Sequence, residues 1–280
     1  MPGFNFLKVL VDPPEAEFDI VAVHGLNPTN KEDHAEATWT ASNNKMWLKD
    51  FLPSQLPTAR ILLFGYNANV AFETSVAGVE EYAENLLNRL RGKRRVPRTA
   101  MTRPIIFICH SLGGIITKKA LTISKLDPTY ETIRTACYGI VFFATPHQGG
   151  NFASLGSIAA SIARVTLMNP KNTFMEALKT DSLFADSIIS DFRHQLEDFH
   201  VLSFYETLSL KKLGLIVDKK SATLGLSGSR ERQIAVEADH NTICKFGAED
   251  DAAYELVLDN ILELAEGAIE IGRQRESGRT

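Results

Sequence analysis

Ser111 stands in Ile105-Ile-Phe-Ile-Cys-His-Ser-Leu-Gly-Gly-Ile-Ile116, where an apolar run meets a tight turn of small residues and a helical pattern starts at once. A serine on such a strand-to-helix turn has its hydroxyl lifted out of the sheet, near the positive end of the following helix. That is the setting of a nucleophile. The pattern Gly-x-Ser-x-Gly places small residues on both sides of the serine. Here Cys109 takes the first glycine's place, and Gly113 with Gly114 hold the second side.

A hydroxyl attacks well only when a base removes its proton. Seven histidines offer one: His24, His34, His110, His147, His194, His200 and His240. With the nucleophile on this kind of turn the chain order is Ser, acid, His, so the base follows the last strand. His240, in Val236-Glu-Ala-Asp-His-Asn-Thr-Ile-Cys-Lys-Phe246, meets that condition. His194 lies in a helical pattern and His200 at a strand start, and both are expected to be structural. His147, in Ala144-Thr-Pro-His-Gln-Gly-Gly150, ends a strand; it is expected to support the site or to be purely structural.

The acid that orients the base belongs after the penultimate strand. Glu206 ends the run His200-Val-Leu-Ser-Phe-Tyr-Glu and is preferred, with Asp218 as the alternative from the same connection. Asp239 adjoins His240, but sequence neighbours seldom point together. Acyl transfer also builds negative charge on the substrate oxygen, which fixed N–H donors stabilise. The N–H of Leu112, next after the nucleophile, is one expected donor. The second is the N–H of Leu26, in Asp19-Ile-Val-Ala-Val-His-Gly-Leu26, where Gly25 permits a close turn and His24 supports the loop.

These groups are scattered over 215 residues, so a scaffold must gather them. Seven short apolar runs read as strands: Phe6–Val11, Asp19–His24, Arg60–Gly65, Ile105–Cys109, Tyr138–Ala144, His200–Tyr205 and Gln233–Val236. Several are apolar at consecutive positions, as strands covered on both faces are. Between them run helical patterns. Val76, Val79, Tyr82, Ala83, Leu86, Leu87 and Leu90 share one face; Leu183, Ile188, Phe192 and Leu196 another; Val257, Ile261, Leu264 and Ala268 a last, within Asp250–Ile271. The alternation predicts an α/β fold: a mostly parallel central sheet with helices on both faces. Residues 1–272 form one domain in this reading, and Arg273–Thr280 a polar tail or linker.

Two segments depart from the alternation. Asn151–Pro170, rich in Ala, Ser, Ile and Gly, reads as a cap over a pocket or as an ordinary buried helix. Arg89–Arg98 carries six basic residues in ten and reads as a solvated loop, with a phosphate or anionic-membrane role as the alternative.

Composition narrows the classes. The chain has 280 residues, 44% hydrophobic and 23% charged, with net charge −4, which gives no general pull toward nucleic acid. Cys109, Cys137 and Cys244 show no zinc-like spacing and read as reduced, so a cytoplasmic location is expected. No apolar run approaches the ~18 residues of a membrane span, and Met1–Leu10 is too short and polar for a signal peptide. No metal-ligand cluster, phosphate loop or dinucleotide fingerprint is visible, so no cofactor is expected.

The motifs HGLNP, WLKDFLP with RILLFGYNA, FICHSLGG, FFATPHQGG, SFYET, IVDKKSA and ADHNTICKF follow one another along residues 4–265. In that order they resemble the SesB-type lipase-like α/β-hydrolase domain found at the N-terminus of fungal NOD-like receptors. They are similar also to the mitochondrial serine-active-site protein and, more distantly, to enzymes that deacylate glycosylphosphatidylinositol lipids. The resemblance implies an α/β-hydrolase fold and an esterase or lipase-like activity on an acyl-ester or lipid substrate. The family's serine falls on Ser111, its histidine on His240 and its acid on Glu206. It also implies a nucleotide-binding receptor domain beyond this one in a longer parent chain. The competing expectation is a signalling or interaction domain that keeps the fold but little catalysis. Transfer of the acyl group to an alcohol other than water would use the same residues.

Overall fold

The computed structural model describes residues 5–27, 31–66, 76–96, 98–147, 191–210 and 214–277. Within these, seven strands form one sheet: β1 (Phe6–Val11), β2 (Phe18–Val23), β3 (Ala59–Gly65), β4 (Ile105–His110), β5 (Cys137–Phe143), β6 (His200–Glu206) and β7 (Glu231–Val236). Their spatial order is β1-β3-β2-β4-β5-β6-β7, with β1 antiparallel to β3 and every other pair parallel. The seven expected strands are all present. The central β2, β3 and β4 are buried at every position, which is why they read as unbroken apolar runs rather than alternating ones.

Among the described residues the helices are α1 (His34–Ala37), α2 (Trp47–Asp50), α3 (Leu52–Gln55), α4 (Val76–Lys93), α5 (Leu112–Leu126), α6 (Glu131–Ala136), α7 (Lys219–Ala222) and α8 (Ala252–Ser277). One face of the sheet packs with α4 and α5 around Val21, Phe64, Leu86, Phe107, Ile116 and Phe142. The other packs with α8 and the α2–α3 segment around Ile20, Trp47, Ile106, Phe143, Tyr254 and Ile261. The fold is that of the α/β hydrolases: parallel strands sheltered by helices on both sides, with all the strands from β2 to β7 ending at one edge.

Two sequence expectations change. α8 continues through Ser277, so the polar tail expected from Arg273 begins inside a helix. Arg273 holds Glu17 there, Nη2 to Oε1 2.8 Å, and Ser277 Oγ donates to its carbonyl at 2.9 Å. The basic run is also not a free solvated loop. Arg89, Arg91 and Lys93 belong to α4, and Arg94 is buried. Its guanidinium meets Asp19, which also takes Arg60 Nε at 2.9 Å and Nη2 at 3.0 Å, while Arg103 Nε lies 3.3 Å away. One buried carboxylate thus ties the C-terminal end of α4 to the start of β2. Asn151–Pro170 and the positions Leu183 and Ile188 lie outside the described residues.

Candidate active site

Strand β4 delivers Ser111 at the carboxyl edge of the sheet, between β2 and β5. The serine is the N-cap of α5 and adopts φ 50°, ψ −121°, which a side-chain-bearing residue rarely takes. Such a conformation costs on the order of 1–3 kcal/mol and persists only where its surroundings over-determine it. They do so here. Ser111 N donates to Phe143 O at 2.9 Å, and Ser111 O accepts from Gly114 N and from Thr145 Oγ1, each at 3.1 Å. The sharp turn also drives α5 against β2: a side chain at Gly113 would strike the carbonyl oxygens of Val23 and His24.

His240 reaches this hydroxyl from the turn after β7. Its Nε2 lies 3.1 Å from Ser111 Oγ, and its Nδ1 lies 3.0 Å from Glu206 Oε2, at the end of β6. Ser111, Glu206 and His240 are all buried. Glu206 is fully engaged, because its Oε1 accepts from the N–H of Ile216 and, at 2.9 Å, from that of Val217. A carboxylate so held fixes the imbalance in the ring: Nδ1 carries the proton, and Nε2 presents its lone pair to the hydroxyl. Asp218 does something else. Its Oδ1 accepts from Ser221 N at 2.8 Å and caps α7. Asp239 is likewise occupied, accepting from Asn241 N, Thr242 N and Thr242 Oγ1 at 2.9–3.0 Å.

Leu26 lies on the loop after β2, beside the nucleophile turn. The Gly25 carbonyl is drawn toward His24, whose Nδ1 is 2.7 Å away, and toward the Tyr66 hydroxyl at 3.4 Å. Carbonyl and N–H point oppositely across a planar trans peptide, so the Leu26 N–H is turned away from His24. Leu112 opens α5, where an N–H lacks an acceptor within its helix. Burial lowers the His24 pKa to about 3, so the ring is neutral; it donates through Nδ1 and accepts the Tyr66 N–H on Nε2 at 3.2 Å. Tyr66 stacks on the same ring at 4.2 Å between centroids and donates its hydroxyl to His24 O at 2.8 Å.

His147 stands behind the nucleophile turn rather than against Ser111 Oγ. Its ring Nδ1 is 2.6 Å from Lys118 Nζ, and its backbone N–H donates to Ser221 O at 2.6 Å. Lys118 is wholly buried between this ring and the faces of Phe142 and Phe192, 5.5 and 6.0 Å from their centroids. Burial pushes its amine down to about 7 and pushes the His147 pKa down as well. Cys109 projects from β4 toward α5, its Sγ 3.2 Å from Thr117 Oγ1, and burial pushes the thiol up to about 12. It is a packing residue, not a rival nucleophile.

Sequence reasoning passed over two residues that the fold brings to this edge. Tyr66 follows β3 directly, and His110 ends β4 with its Nε2 2.9 Å from His240 O. Their signal was positional: a polar ring at the carboxyl end of a central strand. Among the described residues no group of His, Cys, Asp and Glu side chains is arranged to hold a metal ion, and no helix is long and apolar enough to cross a membrane. A cavity of about 350 Å³ lined by Tyr138, His200, Arg230, Glu231 and Asn260 opens at the opposite ends of β5–β7 and takes no part in the site.

The chain is similar in sequence and in fold to known proteins. The chain is 29% identical to Protein SERAC1 of Danio rerio over 230 residues, 79% of this chain and 33% of that one. It is 29% identical to Protein SERAC1 of Homo sapiens over 229 residues, 78% and 33% respectively. The chain spans about a third of the length of these relatives. Among solved structures it is similar in fold to Bacillus licheniformis lipase BlEst2, with TM-score 0.56 and 16% identity over 92% of this chain and 98% of that one. Residues 19–186 match the family model described as "Putative serine esterase (DUF676)", and the chain belongs to that family.

Proposed function

We propose that the chain is a serine carboxylic-ester hydrolase in which Ser111, His240 and Glu206 form the catalytic triad. The observation that carries the reading is the pair of hydrogen bonds at His240: 3.1 Å to the Ser111 hydroxyl and 3.0 Å to the Glu206 carboxylate. His240 Nε2 takes the Ser111 proton as Oγ attacks the ester carbonyl. The N–H groups of Leu26 and Leu112 receive the oxyanion, His240 returns the proton to the leaving alcohol, and an acyl-serine remains. Water, activated by the same base, releases the acid. Glu206 holds the imidazole in the required tautomer and stabilises its charged form throughout. His24, Gly25 and Gly113 shape the donors' positions, and His147 braces the loop behind them.

The strained backbone at Ser111 favours this enzymatic reading over a non-catalytic domain, since strain of that kind is retained where it positions a reactive group. A lipid or other acyl ester is the proposed substrate, in keeping with the resemblance of the motifs. The same resemblance supports a role as the cytoplasmic effector domain of a longer immune-type receptor. An antibody against this domain should then detect a native polypeptide large enough to carry a nucleotide-binding domain.

The direct test is labelling by a fluorophosphonate probe. Wild-type protein should be labelled, and Ser111→Ala should lose the label entirely. Label retained in Ser111→Ala would remove the serine from its proposed role.

A further inference from the structure

We infer that His110 is a positioning residue for the base: its side chain holds the main chain of His240 and so sets where the catalytic imidazole stands. The inference rests on the triad reading above. His240 is carried by a turn, not by a helix or strand, whereas Ser111 and Glu206 sit at the ends of β4 and β6. Its ring is held at both nitrogens, but a ring is placed only as well as the backbone that bears it. His110 supplies that hold. Its Nε2 is 2.9 Å from His240 O, and the two rings lie 5.1 Å apart, tilted by 45°.

The chemistry of this contact is one-directional. A carbonyl only accepts, so His110 must present N–H on Nε2. Burial, with His240 close by, holds the His110 pKa well below its ordinary value, and the ring is the neutral tautomer that carries its one proton there. The other flank of the ring faces the oxyanion loop, where a methyl group on Gly25 would approach Nδ1 to 3.0 Å. His110 thus lies between the loop that bears Leu26 and the turn that bears His240, one peptide bond before the nucleophile. Its donor fixes the base relative to the strand that delivers Ser111.

Catalytic groups act when held within about 0.5 Å of the productive geometry, and a displacement near 1 Å costs on the order of 100-fold in rate. Two amides separate the donor from the ring's bulk. His110→Gln places an N–H₂ donor near the position of Nε2, while His110→Asn is too short to reach the His240 carbonyl. Each variant is assayed on p-nitrophenyl butyrate, alongside thermal unfolding and the far-downfield proton NMR signal of the His240 Nδ1–H. His110→Asn should lower kcat roughly 10- to 100-fold, leave KM within about threefold, and broaden the downfield signal through faster exchange. His110→Gln should keep kcat within about threefold of wild type and retain the signal.

Wild-type kcat and an unaltered signal in a folded His110→Asn protein would overturn the inference. So would equal losses in the two amides, which would assign the effect to ring packing instead of the donor. If His110→Asn does not fold, His110→Leu takes its place in the same comparison. Turnover that survives Ser111→Ala would remove the hydrolytic reading alone. The His240 signal, which needs no turnover, then decides the positioning role by the same criteria.

Discussion

Gly25 and Ser111 touch so closely that a methyl group on Gly25 would lie 2.9 Å from Ser111 Cβ. The loop with the Leu26 N–H and the turn with the nucleophile are therefore packed directly on one another, with no side chain between them. Their separation is set by the absence of a β-carbon at residue 25.

That contact makes Gly25→Ala informative. The added methyl would be flanked by Ser111 Cβ and the His110 ring, so one of the two loops must move. Overpacking of this kind costs about 1–3 kcal/mol, and a donor displaced by about 1 Å costs roughly 100-fold in rate. Gly25→Ala should lose 10- to 100-fold in kcat on a p-nitrophenyl ester, with a matching loss of stability in a urea titration. Wild-type values for both would show that the packing relaxes without moving either donor.

The roles of the two candidate acids separate cleanly by substitution. In Glu206→Gln the amide oxygen stays with the N–H groups of Ile216 and Val217, which turns the NH₂ toward His240 Nδ1. That arrangement forces the proton onto Nε2 and leaves no lone pair for Ser111, so kcat should fall by about 10⁴. Asp218→Ala loses a helix cap worth about 1 kcal/mol. Its kcat should stay within a few-fold of wild type. The reverse ranking in steady-state kinetics would move the acid to Asp218.

The sheet was legible because its central strands are buried on both faces and therefore write themselves as apolar runs; the shortfalls have physical causes of their own. Arg94 looks like any member of a charge run, and its partner Asp19 is 75 residues upstream, so burial could not be seen. The helix end near Arg273 read as a tail because its residues are polar, yet Arg273 is held by Glu17 at 2.8 Å, 256 residues away. Ser111 and His240 could be singled out by the elements that precede them. Choosing the acid needed more, since both candidates lie in one connection. Asp218 carried a local clue: Asp is a preferred N-cap residue, and a short helix begins at the next position. His110 and Tyr66 act through contacts made only when distant loops meet, so their place at a strand end marked them as candidates without showing what they hold.

Cys109 occupies the position where the nucleophile motif has glycine, and its surroundings explain how. The side chain lies wholly buried, with Sγ against Thr117 on α5. Restoring the motif by Cys109→Gly removes that packing and loosens a central strand. The variant should lose about 1–3 kcal/mol of stability. Because the thiol's hydrogen bond goes to Thr117 on α5 rather than to the triad, kcat should remain within about threefold. A rise or fall of more than tenfold would show that this side chain governs the nucleophile turn after all.

The loop after β2 should also leave a mark on acid stability. His24 is fully buried with its pKa lowered from 6.5 to about 3, chiefly by burial and then by His34; His34 is lowered from 6.5 to about 4, also by burial first. The unfolded chain binds a proton at each ring below pH 6.5, and the folded chain does not until far lower. Their contribution is therefore complete above pH 6.5 and is lost as pH falls through about 4 for His34 and about 3 for His24. Over that window each neutral imidazole steepens the decline by at most about 1.4 kcal/mol per pH unit. Carboxylates add their own decline, so the comparison is with His24→Gln, which cannot take up the proton. Urea titrations between pH 6.5 and 4.5 should show a shallower fall in the variant, by close to one proton's worth, even though it starts from a lower stability. Parallel lines would mean that His24 is protonated in the folded protein, and that a neutral ring does not hold the Gly25 carbonyl.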